Sequence, residues 1–173
     1  MSVVMMRTMI AIGGAALVGL LSAGAVPAAE VDAVPAGRVE VVLANAHRAH
    51  QDEIIQAFAA AGLTNVHLQF MKAGKPPANI GLGPKVVVER AQAAIRMARV
   101  YNGGVAILLP ERLFPDHYVT IASSSFDDTV DYPVNDEALK ELENPSLTTE
   151  QFHNLYRRLT PADRPPGKKG RVF

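Results

Sequence analysis

Residues 79–110, NIGLGPKVVVERAQAAIRMARVYNGGVAILLP, limit more than any other stretch what this chain can fold into. They read as a glycine-rich turn, a helix, a glycine stop and a buried strand. Pro84 suits a first helical turn, because its missing N–H would have no partner there. Nothing breaks the helical pattern from 84 to 101. Val87, Ala91, Ala94, Ala98 and Tyr101 recur at steps of three or four, so they share a face, with Ile95 at its edge. Lys85, Glu89, Gln92, Arg96 and Arg99 fall on the opposite side. Asn102-Gly103-Gly104 supplies residues that tolerate the left-handed conformation of a helix end. The apolar run 105–109 predicts a strand covered on both faces, closed by Pro110. Small side chains at 91, 94 and 98 predict close approach to whatever the helix packs on.

The remaining pattern extends this unit into an α/β fold. Residues 39–44, VEVVLA, are β-branched and predict a strand. Residues 47–61 predict a helix with Ile54, Phe58 and Ala61 on one face, stopped by Gly62. Residues 66–71, VHLQFM, alternate like a half-buried strand. Residues 118–122, YVTIA, predict another. Residues 135–142 predict a short helix capped by Asn135. Thr148-Thr149-Glu150-Gln151 is a capping box for a final helix carrying Phe152, Leu155, Tyr156 and Leu159. The order β-α-β-α-β-β followed by two short C-terminal helices predicts a small two-layer α/β sandwich opened by a right-handed crossover.

The N-terminus sets the expected compartment. Arg7 is followed by an apolar run at 9–21 and then by small residues at 22–29, SAGAVPAA. Charge, apolar core and small residues in that order are the pattern of a secretory signal peptide. The apolar core is shorter than the roughly 20 residues that span a bilayer. The expected organisation is a signal peptide at 1–28, a linker at 29–38, a single α/β domain at 39–160 and a disordered basic tail at 161–173. The mature protein is expected in the periplasm or outside the cell, with no transmembrane segment left after processing.

Charge and composition narrow the function. The 173 residues carry 17 basic and 17 acidic side chains, which does not suit a nucleic-acid binder. The absence of cysteine rules out disulfides, thiol catalysis, cysteine-ligated zinc and a lipid-modified N-terminal cysteine. The balance is uneven along the chain. Asp116, Asp127, Asp128, Asp131, Asp136, Glu137, Glu141, Glu143 and Glu150 face only Lys140 within that segment, whereas Arg157, Arg158, Arg164, Lys168, Lys169 and Arg171 follow. The expected consequence is solubility and attraction between the two segments, or contact of the tail with anionic surfaces.

Three groups of residues carry possible chemistry. His47 and His50 sit at helical spacing with Ile54 and Phe58, and two imidazoles one turn apart suit a divalent metal, although the pattern is not H-E-x-x-H. Gly81-Leu82-Gly83-Pro84-Lys85 opens the predicted helix, so free N–H groups together with Lys72, Lys75 and Lys85 would suit a carboxylate or phosphate. The spacing matches neither G-x-G-x-x-G nor G-x-x-x-x-G-K-[ST], so a nucleotide is not expected. Ser123-Ser124-Ser125 lack the G-x-S-x-G context of a hydrolase nucleophile, and Asp127, Asp128 and Asp131 do not follow an EF-hand spacing. No catalytic residue and no cofactor is assigned. The reading that results is an exported α/β domain with a non-catalytic binding or accessory role in the bacterial cell envelope, its partner an envelope protein or a small anionic ligand. The alternative is a periplasmic histidine-based metal binder or small metalloenzyme, with a divalent metal ion as cofactor.

Overall fold

The computed structural model describes residues 37–126 and 134–160. The expected signal peptide, most of the linker, the acidic residues 127–133 and the basic tail lie outside the described residues. In chain order the elements are β1 (Val39–Leu43), a 3-10 helix at Asn45–His50, α1 (Gln51–Ala60), β2 (Val66–Phe70), β3 (Asn79–Leu82), α2 (Val88–Asn102), β4 (Ile107–Leu109), a 3-10 turn at Glu111–Leu113, β5 (Val119–Ile121), α3 (Asp136–Leu142) and α4 (Thr149–Leu159).

The five strands form one mixed sheet in the order β2-β1-β5-β3-β4. β1 is parallel to β2 and to β5, with Val39 opposite Val66 on one side and Val119 on the other. β3 is parallel to β4 but antiparallel to β5. The carboxyl ends of β1, β2 and β5 therefore share an end of the sheet with the amino ends of β3 and β4.

Alternation along the strands builds two unlike faces. Val39, Val41, Leu43, Ile80, Leu82, Leu108, Val119 and Ile121 join one core cluster with Ile54 and Phe58 of α1, the apolar residues of α2, Leu139 and Leu142 of α3, and Phe152, Leu155 and Tyr156 of α4. Helices thus cover one face, as the α/β sandwich predicted. The other face carries Glu40, His67, Gln69, Gly81 and Thr120. Phe114 lies against it at Gly81 and stacks on Tyr118 with centroids 5.8 Å apart.

The first four residues of the central stretch differ from expectation. Residues 79–82 form the strand β3 rather than a turn, and α2 begins at Val88 rather than Pro84. Gly81 hid the strand, since glycine in a strand interior usually signals weakness. Here it makes room: a Cβ on Gly81 would fall 2.3 Å from the Phe114 ring. Pro84 lies in the link to α2, because Gly83 N–H and Lys85 N–H donate to the carbonyls of Tyr118 and Asp116. The end of α2 is as expected, with Gly103 left-handed at φ 73°.

α2 is also buried on more than the predicted face. Ala91, Ala94 and Ala98 are buried, and so are Ala93, Met97 and Gln92. The Gln92 side-chain amide donates to the carbonyls of Leu142 and Asn144 at 2.9 and 2.8 Å. The chain leaving α3 therefore covers a side that periodicity assigned to solvent. The two C-terminal helices keep their predicted caps: Asn135 accepts from Ala138 N–H, and Thr148 and Gln151 form the reciprocal box. Among the described residues no helix is long and apolar enough to cross a membrane.

Candidate functional site

The sequence candidates divide between the two ends of the sheet. His47, His50, Lys72 and Lys75 follow the carboxyl ends of β1 and β2. The link is tight there: Met71 N–H donates to Leu43 carbonyl at 2.9 Å, and the Arg48 guanidinium lies 5.0 Å over the ring of Phe70, the last residue of β2. Arg48 Nε donates to Asn45 Oδ1, which holds the cation in place. Lys72 and Lys75 are exposed and form no ion pair among the described residues. α2 reaches the same end, where Asn102 donates to Val42 carbonyl at 2.9 Å and Tyr101 meets His47 edge to face at 5.9 Å.

The two histidines do not project into the core. They lie in the 3-10 helix ahead of α1, where a repeat of three residues per turn sets them on the rim. His47 is half-buried beside Tyr101, and His50 is exposed, with Nδ1 3.2 Å from Glu53. Among the described residues no group of three or more His, Cys, Asp or Glu is placed to hold a metal ion.

Gly81, Gly83 and Lys85 lie elsewhere. Gly81 is inside β3 beneath Phe114, and a Cβ on Gly83 would fall 1.8 Å from Pro115 carbonyl. The N–H groups of Gly83 and Lys85 already donate within the protein, and Lys85 Nζ pairs with Asp116 at 2.8 Å. The hydrogen bond from Lys85 lowers the pKa of that carboxyl. The chain's own segment 114–116 occupies the space that the glycines leave, and Lys72 and Lys75 are at the opposite end of the sheet.

Two polar features were not foreseen. The first is a buried ion cluster between the turn after β4 and α4. The side chains of Glu111 and His153 are 6% and 5% exposed and pair directly. His153 Nδ1 donates to one Glu111 oxygen, and its Nε2 donates to Val86 carbonyl at 2.7 Å. Arg157 donates to the other Glu111 oxygen at 3.1 Å. With Glu111 ionised, both partners of the imidazole are acceptors, and an imidazolium with a proton on each ring nitrogen satisfies both. Burial pulls its pKa down and is the largest single influence. The bonds to Glu111 and Val86 and the Glu111 charge outweigh it, and the net shift is upward. Tyr156 shares its hydroxyl proton between the carbonyls of Ile80 and Leu109, and burial raises its pKa strongly. The sequence signal was present: an acid two residues after a buried strand, and a histidine beside Phe152 on a strongly amphipathic helix.

The second is an open hollow of about 370 Å³ at the same sheet end as Lys72 and Lys75. Ala78, Arg99, Gly103, Gly104, Ala106 and Asp136 line it. Arg99 pairs through Nη1 with Glu143 at 3.1 Å, while Nη2 stands 3.9 Å from Asp136. That Nη2 is buried and has no hydrogen-bond acceptor among the described residues.

These features define a small mixed-sheet α/β domain with a tightly packed end, where Lys85 and Asp116 pair, and a charged open end, where helix and strand termini meet. Comparison with protein-family models, with curated proteins and with solved structures finds no match.

Proposed function

We propose that this chain is an exported α/β domain of the bacterial cell envelope with a non-catalytic role, binding a small ligand or a partner at the open end of its sheet. The observation that carries the binding role is that His47, Arg48 and His50, in the 3-10 helix after β1, and Lys72 and Lys75, in the loop after β2, follow adjacent parallel strands at the same end of the sheet. Loops held by a rigid sheet are where binding residues are commonly placed. The non-catalytic reading is supported by the Glu111–His153 pair, the one close acid–imidazole pair buried among the described residues. Both imidazole nitrogens bond inside the protein, so neither is free to move a substrate proton. Export is supported by the N-terminal order of charge, apolar run and small residues.

Two measurements test this. Fractionation and mass spectrometry should find the protein in the periplasmic fraction with an N-terminus near Val26 or Ala29. Full-length protein held in the inner membrane, Met1 included, would overturn export. Citrate, a polycarboxylate probe, should shift the amide NMR signals of residues 46–48 and 72–75 together and saturably, and Lys72→Gln with Lys75→Gln should weaken the effect. Small unsaturable shifts spread over all lysines are ordinary screening and would overturn the binding role of this end.

A further inference from the structure

β2 is an edge strand of the sheet, and its outer side is unpaired among the described residues. Val39 N–H donates to Asn65 carbonyl, and Met71 N–H donates to Leu43 carbonyl. Main-chain groups alternate in direction along a strand, so those of His67 and Gln69 also face β1. Those of Val66, Leu68 and Phe70 face outward, where no hydrogen bond meets them among the described residues. Folds usually protect such an edge with lysine, proline, a bulge or a covering segment. The other edge strand, β4, follows that rule. It is short and buried, Pro110 follows it, Tyr156 donates to its Leu109 carbonyl, and Val134 N–H donates to the neighbouring Ala106 carbonyl. β2 has no charged residue and no proline, and its one-to-one register with β1 has no bulge.

The order of side chains in β2 decides what fits against it. Val-His-Leu-Gln-Phe reads apolar, polar, apolar, polar, apolar from either end, with Leu68 at the centre. Val66, Leu68 and Phe70 stand opposite Val39, Val41 and Leu43, so their half-buried side chains lie on the helix-covered face. His67 and Gln69 are exposed on the other face. A second β2, antiparallel and turned about Leu68, sets Leu68 opposite itself and Val66 opposite Phe70 on the first face. On the second face it sets His67 opposite Gln69. The three outward-facing positions then become hydrogen-bonded pairs, each exchanging two main-chain bonds. A slip of one residue would turn apolar side chains to the wrong face. Arg48, which lies over Phe70, does not oppose the pairing. The two Phe70 side chains are four residue rises apart in this register, which separates the cations by roughly 13 Å, more than a Debye length of about 8 Å.

We propose that the chain forms a two-fold symmetric dimer through β2, a second copy pairing antiparallel about Leu68 and joining the two sheets into one. The dimer does not depend on what the open end of the sheet binds. A ladder this short is a small contact of the transient class, so monomer and dimer exchange with concentration.

The test combines sedimentation equilibrium with amide hydrogen exchange, on protein expressed from the full sequence, from micromolar to millimolar concentration. The mass should rise toward that of two copies, and the amides of Val66, Leu68 and Phe70 should become protected over the same range. Those of His67 and Gln69, which face β1, should be protected throughout. His67→Lys with Gln69→Lys sets lysine against lysine and should weaken association about tenfold. His67→Lys with Gln69→Glu sets lysine against glutamate and should restore it. Both positions are exposed, so both variants should keep the fold. A chain that stays monomeric would overturn the proposal, even one whose outward β2 amides are protected by a peptide from another protein. So would a dimer that leaves those three amides unprotected, or two double variants that associate alike.

Discussion

Glu111 and His153 show what one buried charge demands of its surroundings. Glu111 is held by an imidazolium on one oxygen and a guanidinium on the other, so α4 is tied to the turn after β4 by charge as well as by Phe152 and Tyr156. Removing one member of a buried pair leaves the other charge uncompensated, at a cost of about 3–5 kcal/mol. Glu111→Gln should lose stability on that scale in urea unfolding, whereas Arg157→Ala, at a side chain 54% exposed, should lose about 0–1 kcal/mol. Equal losses would mean that the cluster does not anchor α4. The imidazole adds a pH dependence with a definite sign. Its pKa is raised in the fold, so its contribution is complete below the unfolded value of about 6.5 and is lost as pH rises through the higher folded value. The melting temperature should therefore fall as pH rises above that point, and His153→Gln should remove the slope.

At the scale of elements, β3 and α2 separate what periodicity can reveal from what only packing decides. Hydrophobic spacing marks Ala91, Ala94 and Ala98 as core, and they are buried. It also assigns Gln92 to solvent, and the chain after α3 covers that side and takes its amide hydrogens. Spacing within one helix carries no information about an element that arrives fifty residues later. β3 escaped for a related reason. Its Asn79-Ile80-Gly81-Leu82 lacks the β-branched density of a recognisable strand, and the use of Gly81 depends on Phe114, which belongs to another segment. Of the candidate site, the cationic residues were legible as residue types, but the division of Lys72 and Lys75 from Lys85 required the sheet order. Gly81→Ala should destabilise by about 1–3 kcal/mol by overpacking against Phe114. Phe114→Ala in the same chain should relieve part of that added cost, since the Thr120 methyl would still stand 2.8 Å from the new Cβ, and a double variant showing the simple sum of the two losses would mean that Phe114 does not confine Gly81.

At the scale of the whole molecule, the mixed sheet explains why the two ends differ. Because β3 reverses direction against β5, the links after β3 and before β5 meet at one end, where Lys85 and Asp116 pair. The loops after β1 and β2, the end of α2 and the start of α3 are left at the other. That end exposes cations, a hollow and two glycines with positive φ.

The position of β5 also bears on the order in which the chain can acquire its structure. β5 separates β1 from β3, so the first strand cannot join the second half of the sheet until residues 119–121 are available. The Tyr118–Glu40 contact bridges 78 positions of sequence. Sheets that depend on such distant pairing form slowly. A chain threaded through a membrane from its N-terminus would deliver β1, α1 and β2 long before the strand that completes their sheet. Until residues 119–121 arrive, the edge of β1 that faces β5 has no strand to pair with.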